Sequence, residues 1–495
     1  MSRIYFLLFT LLLCYSKALL ANQPNIIFIL SDDQSFNTLA NLGNNEIVTP
    51  NLDKLARRGV TFANAHNMGG WNGAVCLASR AMLNSGRSLW QAYKLEGKNA
   101  FQQRLSTSWA KIMRDNGYQT YMTGKWHVHL DAKVVFDHSK HIRQGMPADN
   151  WNFHQMVNNF AKLQQGELMH YAEFMPVGYN RPLQGVTDRW SPTDTRHQGY
   201  YAGGQHWSEI VAQDAIEFIQ HSNSSNKPVF MYLAFNAPHD PRQAPQPFQD
   251  LYPFDELSLP ANWAKGYPYA YEIGNGPSLR DSALAPFPRT AHAIRTHKKE
   301  YYALISHMDA QIGKILDALE ANEQLDNTYI IFTSDHGLSV GERGLFGKQN
   351  MYEESIKAPF IVVGPNIPQG QINQQNIYIQ DAMATTLELA QITKPQHVFF
   401  NSVMPLIQDT KLPSFYPSIY GAYVDSQRMI KADGYKLIIY PKAQVARLYY
   451  LPDDPLEQYD LFKQPAYQKI VKKLMNQLVR MQGQLGDELN LTVSF

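Results

Sequence analysis

The chain is 495 residues long, with 44% apolar residues, 44 lysines and arginines against 43 aspartates and glutamates, and two cysteines. That length supports two or more structural units and a large apolar core. The near-neutral balance, with no Lys/Arg-rich block, excludes a protein that tracks nucleic-acid phosphates, so an anionic substrate has to be held by a few cations focused in a pocket.

At the N-terminus, Met-Ser-Arg precedes an apolar run from residue 4 to 13 broken only by Thr10, and small residues follow at Ala18 and Ala21. This reads as a secretory signal peptide over residues 1–21. The run is shorter than the roughly 20 apolar residues a transmembrane helix needs. No later stretch reaches that length, so the mature chain is expected to be exported, to the periplasm or the medium, without a transmembrane segment. A lipid-attachment reading of Cys14 is disfavoured by the bulky Leu13 before it. Loss of the leader removes Arg3, Lys17 and Cys14, which leaves 42 bases against 43 acids and Cys76 as the single cysteine. A lone thiol in an oxidising compartment is either buried and inert or chemically employed; composition leaves both open.

From residue 25 to about residue 392, short apolar runs alternate with helix-like segments, the pattern of an α/β chain with a mainly parallel sheet. Residues 25–30 (NIIFIL) predict a buried strand, and 51–58 a helix opening behind Thr49-Pro50. A helix over 109–116 stops at Gly117 and leads into a strand through Tyr121. Residues 136–205 show little periodicity and are rich in His, Trp, Tyr, Gly and Asp. A helix over 206–221 and a buried strand over 229–235 (VFMYLAF) come next. A second irregular stretch, 244–288, carries Trp263, Tyr267, Tyr269 and Tyr271. Insertions of this kind are either functional or surface decoration.

A long helix is expected over 297–322, with apolar residues at Tyr301, Leu304, Ile305, Met308, Ile312 and Ile315. Strands at 329–333 (YIIFT) and 359–363 and a helix over 381–392 follow. From 416 to 451 short strands alternate with turns such as Ala432-Asp433-Gly434, and a terminal helix is expected over 466–485. This last part reads as a smaller antiparallel sheet with a helix. The expected division is 1–21 leader, 22–405 main α/β domain and 406–495 C-terminal subdomain.

The chemistry gathers at strand ends. The strand at 25–30 runs into Ser31-Asp32-Asp33, and that at 329–333 into Ser334-Asp335-His336-Gly337. Open α/β sheets bind ligands beyond the carboxyl ends of their strands. If these two strands are neighbours, three carboxylates and an imidazole converge, and such like charges repel unless a cation sits between them. Oxygen-rich ligation points to calcium or magnesium rather than zinc. One Asp-Asp pair after a strand is ordinarily a cap or turn; two matched strand ends argue otherwise. Two further strands end in Gly124-Lys125-Trp126-His127 and in Asn236-Ala237-Pro238-His239-Asp240-Pro241.

Cys76-Leu77-Ala78-Ser79-Arg80 resembles the Cys-x-Pro-Ser-Arg signature, with Ala tolerated for Pro, of the type I formylglycine-dependent sulfatases of the alkaline phosphatase-like superfamily. In that family the cysteine is oxidised to formylglycine before folding. Thr49-Pro50-Asn51-Leu52, Gly86-Arg87, the Gly-Lys-Trp-His and Ala-Pro-His-x-Pro motifs, Asp-His-Gly, and Gly347-Lys348 before Tyr352-Glu353-Glu354 agree with it. The segment 451–461 is similar to the family's Asp-Pro-x-Glu region. The resemblance covers most of the mature chain outside the two irregular stretches.

The resemblance implies a large, mixed but mainly parallel sheet between helices and a smaller C-terminal antiparallel unit. It implies one calcium ion per chain held by Asp32, Asp33, Asp335, His336 and the modified residue 76. Arg80 would hold the formylglycine hydrate, with Lys125 and His127 beside it, and His239 and Lys348 would face the leaving oxygen of the ester. A hydrated aldehyde has one hydroxyl to attack sulfur and another to serve as an exit, which a thiol lacks. Calcium and Arg80 favour the ionised nucleophile, His239 with Lys348 protonates the departing alkoxide, and His127 takes the proton that lets sulfate leave. The implied partners are a sulfated glycan and a formylglycine-generating maturation enzyme.

Ala78 stands in place of the usual Pro, and His129 stands where a Gly commonly follows the Gly-Lys-Trp-His motif, as an extra pocket residue or part of a different turn. Trp71 is a rim residue or ordinary core. Two other readings accompany the sulfatase one. The same fold and aldehyde serve phosphonate monoester and phosphodiester hydrolases. A secreted glycan-binding relative without catalysis is the other, and the complete set of ligands, cations and proton carriers argues against it.

Overall fold

The computed structural model describes residues 23–146, 153–165, 183–186, 190–196 and 198–491. The leader expected at 1–21, with Cys14, lies outside them, as does part of the first irregular stretch. The strands in chain order are β1 (Asn25–Ser31), β2 (Gly59–His66), β3 (Gly69–Gly70), β4 (Gln119–Lys125), β5 (His138–Arg143), β6 (Val229–Ala234), β7 (Thr328–Ser334), β8 (Ser339–Val340), β9 (Phe346–Gly347), β10 (Lys357–Ala358), β11 (Phe360–Val363), β12 (Gln371–Tyr378), β13 (Ile419–Tyr423), β14 (Gln427–Ala432), β15 (Tyr435–Tyr440) and β16 (Val445–Tyr450).

Nine of these form one sheet in the order β10-β2-β11-β7-β1-β6-β4-β5, with β12 also paired to β2. From β7 through β1, β6 and β4 to β5 every pairing is parallel, while β11 is antiparallel to both β7 and β2. The central strands are buried on both faces, which is why they read as unbroken apolar runs. In β1, Ile27 and Ile29 enter one core while Ile26, Phe28 and Leu30 enter the other. The first core is covered by the helices Pro50–Arg58, Trp207–Ser222 and Ala291–Ala321; the second by Trp109–Asp115 and Asp381–Leu389.

The long helix begins at Ala291, ahead of the expected 297, because Thr290 Oγ1 accepts the Ala293 N–H at 3.1 Å and caps it there. The strands β2, β5 and β12 and the helix Val75–Ser85 have no counterpart in the sequence reading.

A second sheet, ordered β16-β15-β14-β13-β3, is antiparallel except at one edge. There β3 joins in parallel, Gly69 opposite Ala422 and Gly70 opposite Tyr423. Gly69 has a φ of +91°, and a Cβ on it would lie 1.9 Å from the Ala422 carbonyl oxygen, so only glycine allows this approach. The C-terminal sheet is thereby stitched to the segment just ahead of Cys76. The helix Gln468–Leu485 packs against it through Val471, Leu474 and Leu478, and Gly486 closes the helix in the left-handed region. No helix among the described residues is long and apolar enough to cross a membrane.

Candidate active site

Register places the two acidic strand ends side by side, since Ser31 of β1 is directly opposite Ser334 of β7. The next residues, Asp32-Asp33 and Asp335-His336, leave the sheet together, all of them buried. Asp33 turns with a φ of 70°, its N–H donating to Asp335 Oδ1 at 3.2 Å. Tyr301 of the long helix donates its hydroxyl to the Asp33 carbonyl at 2.6 Å and fixes that turn.

Cys76 is the second residue of the helix Val75–Ser85, whose residues are all buried. Arg80 lies one turn further along the same face. Its Nε donates to Asp335 Oδ2 at 2.9 Å and its Nη1 to the Lys125 carbonyl at 2.6 Å. Ser79 donates to the Asp335 carbonyl at 2.6 Å, and Asn67 Nδ2 donates to the same oxygen. Lys125, at the end of β4, is ion-paired with Asp32. His127 follows with a φ of 49°, and its Nδ1 lies 3.4 Å from Cys76 Sγ.

His239 and Lys348 form the opposite wall. His239 Nδ1 donates to the Asp240 carbonyl at 2.8 Å, which leaves Nε2 facing Asp33 Oδ2 at 3.8 Å. Lys348 Nζ donates to both oxygens of Asp33, at 2.8 and 3.0 Å. The structure thus brings together Asp32, Asp33, Cys76, Arg80, Lys125, His127, His239, Asp335, His336 and Lys348.

Burial drives the Asp32 carboxyl well above its usual range, with Asp335 adding to the effect. Burial pushes Asp335 the same way, but His336, Arg80 and Lys125 prevail and hold it well below. This is the behaviour of two carboxylates sharing one site. Burial opposes charge on His336, yet Asp335 and Asp33 raise it to about 9. For Cys76 burial is again outweighed: Lys125, His127 and Lys348 pull the thiol well below its ordinary value, so the pocket favours an anion at residue 76. Burial, followed by Lys348 and Lys125, pushes His239 well below the imidazole range.

Ligand atoms of Asp32, Cys76, Asp335 and His336 all lie within 4.8 Å of one another. Among the described residues Asp32 Oδ1 and His336 Nε2 have no hydrogen-bond partner. His336 Nδ1 lies 2.8 Å from the Gly337 carbonyl, which can only accept, so Nδ1 carries the proton and Nε2 presents a lone pair in the neutral ring. Two carboxylates and an imidazole around one point suit a divalent cation, and the oxygen share favours a hard one. Asp33 stands at the edge of this group, its Oδ1 3.2 Å from His336 Nε2, and it also converges with His239 and Asp240.

Other candidates fall elsewhere. His129 is exposed and paired with Glu96. Trp71 is half-buried, its ring 5.5 Å from that of Tyr93. Tyr267 is tied by its hydroxyl to Tyr352 and Tyr440, while Tyr271 is exposed. Asn67, Ser79, Asp281 and Gln349 support the site without having been singled out by sequence. Ser79 lay inside the signature motif; the others are isolated polar residues in segments without periodicity.

A sulfatase family model matches residues 24–392, and a model described as N-sulphoglucosamine sulphohydrolase, C-terminal, matches 341–484. The chain is 27% identical over 475 residues to an arylsulfatase of Clostridium perfringens, an alignment covering 92% of this chain and 94% of that one. It is 25% identical over 509 residues to an N-acetylglucosamine-6-O-sulfatase of Bacteroides thetaiotaomicron, covering 94% and 87% respectively. A solved structure described as a complex with its substrate D-glucosamine-2-N,6-O-disulfate superposes with a TM-score of 0.70 at 22% identity, covering 94% of this chain and 99% of that one.

Proposed function

The chain belongs to the sulfatase family and is a sulfuric ester hydrolase, and from that premise we propose that it acts on a sulfated oligosaccharide or polysaccharide, using a formylglycine hydrate made from Cys76 and one calcium ion held by Asp32, Asp33, Asp335, His336 and residue 76. The observation that carries this reading is the buried four-residue cluster of Asp32, Cys76, Asp335 and His336, with the cations of Lys125 and Lys348 and the His127 ring around residue 76. The relatives named for sugar sulfates support the glycan as substrate. We read residues 22–405 as the catalytic domain and 406–495 as a C-terminal subdomain, on a chain exported through the 1–21 leader. A maturation enzyme that generates formylglycine is the implied partner.

Calcium, when bound, withdraws charge from the sulfate oxygens, and the hydrated aldehyde supplies an oxygen nucleophile with a second hydroxyl as the exit. The chain's own side chains do the rest. Arg80, held by Asp335 and the Lys125 carbonyl, orients the residue-76 end of its helix. Lys125 and Lys348 neutralise the sulfate oxygens. Burial, then Lys348 and Lys125, disfavours charge on His239, and a bound sulfate anion opposes the effect of those two cations. His239 and Lys348 deliver a proton to the leaving oxygen. His127 Nδ1 takes the proton from the residue-76 hydroxyl as sulfate departs.

The test is inorganic sulfate release, with phosphate followed in parallel, from a panel of sulfated oligosaccharides. The protein is calcium-loaded, and mass spectrometry of its Cys76 peptide verifies that sulfur has been replaced by oxygen with loss of two hydrogens. Sulfate release that Cys76→Ala abolishes is the expected result. Phosphate release from phosphonate or phosphodiester controls without sulfate release from any glycan overturns the reading.

A further inference from the structure

The second irregular stretch ends at the leaving-group wall of the site. Its short turn Arg280–Ala283 packs against β9, directly before Lys348. Asp281 is 4% exposed. Its Oδ2 accepts from Gln349 Nε2 at 2.7 Å and lies 3.8 Å from Lys348 Nζ, and its Oδ1 accepts from Arg280 Nη1 at 2.5 Å. Arg280 in turn is ion-paired with Asp240, the residue whose carbonyl accepts the hydrogen bond from His239 Nδ1. Gln349 locks the other side, accepting the Lys348 backbone N–H at 3.0 Å and donating to the Gly73 carbonyl at 2.9 Å. Gly347 completes the fit: its φ is +100°, and a Cβ there would sit 2.6 Å from Asp281 Cβ.

Lys348 Nζ is therefore held between Asp33 on the cluster side and Asp281 on the other, and a continuous chain Asp240–Arg280–Asp281 spans the two groups that face the leaving oxygen. We propose that Asp281 is a positioning residue for proton delivery, acting through Lys348 directly and through Arg280 on the Asp240–His239 turn, so that the second insertion governs how well a poor leaving group is expelled. This rests on the sulfatase reading above. In the step concerned the sulfur–oxygen ester bond breaks as the residue-76 oxygen bonds to sulfur. The electron pair stays on the ester oxygen, and a proton from Lys348 Nζ or His239 Nε2 converts that oxygen to an alcohol.

A structural ion pair and a positioning residue differ in how their loss depends on the leaving group. The calcium-loaded enzyme is assayed on 4-nitrophenyl sulfate, whose leaving group departs unaided, and on phenyl sulfate, whose more basic leaving group needs the proton. For Asp281→Asn the expected loss in kcat is about 100-fold on phenyl sulfate and under about 5-fold on 4-nitrophenyl sulfate, in line with the usual worth of general-acid assistance. Calcium affinity by titration calorimetry stays at the wild-type value, and Asp281→Glu recovers part of the phenyl sulfate rate. Gln349→Leu, which leaves Asp281 in place but frees it on one side, shows the same bias more weakly and serves if Asp281→Asn does not fold. Equal losses on the two substrates, or none, overturn the inference alone. A wild type that releases sulfate from neither these esters nor the glycan panel overturns the functional reading and the inference with it.

Discussion

Lys348 donates to both carboxylate oxygens of Asp33 across 315 positions of sequence, and both side chains are almost wholly removed from solvent. Removing one partner of a buried ion pair leaves an uncompensated charge, which costs about 3 kcal/mol or more. Lys348→Met is expected to lower the unfolding free energy by about that much and, by removing a proton donor, to cut sulfate release about 100-fold. Urea unfolding read beside the sulfate assay checks both. An unchanged unfolding midpoint would sink the first half, an unchanged rate the second.

Asp32 and Asp335 bring two carboxylates to one buried cluster, with the buried Asp33 at its edge. An ion that binds only the folded chain stabilises it by about 3 kcal/mol at one hundred times its dissociation constant. Chelation is expected to stop sulfate release and lower the unfolding midpoint, with calcium restoring both and Asp32→Asn losing most of the calcium response. Calorimetric scans with and without the ion provide the check, and superimposable scans would count against a resident cation.

Asp381 accepts from the backbone N–H groups of Tyr378 and Asn401, each at 3.0 Å, and from the Tyr416 hydroxyl at 2.5 Å. Burial outweighs these bonds and lifts its carboxyl from 3.8 to about 7. The folded form then holds the proton more tightly than the unfolded form. The associated stability is complete below about pH 4 and is lost as the pH rises through about 7. Relative to Asp381→Asn, which does not titrate, the wild type is expected to lose up to about 4 kcal/mol over that interval. Urea unfolding at a series of pH values measures it; parallel pH profiles for the two proteins would refute it.

The sequence disclosed those parts whose physics is local. Strands β1, β6 and β7 stood out because burial on both faces leaves an unbroken apolar run, and Asp32, Asp335 and His336 because they end such runs. Cys76 and Arg80 were legible as a motif. The helix that carries them was not, because Val75–Ser85 is buried on all sides and so lacks the alternating faces that betray a helix. The strand β12, with five Gln and Asn in Gln371–Tyr378, is held by its pairing with β2 rather than by intrinsic preference. Asp281 reaches Lys348 from 67 positions away, through a segment with no period to read.

The two-glycine strand β3 also imposes an order in time. Its partner β13 follows roughly 350 residues later, so at about 5–20 residues per second a ribosome needs roughly half a minute to deliver it. Throughout that interval the segment bearing Cys76 has no C-terminal sheet to dock upon. In the folded chain, where Tyr423 is paired with Gly70, Cys76 is 3% exposed. Any enzyme that must reach this cysteine works against a clock that the chain's last strands stop.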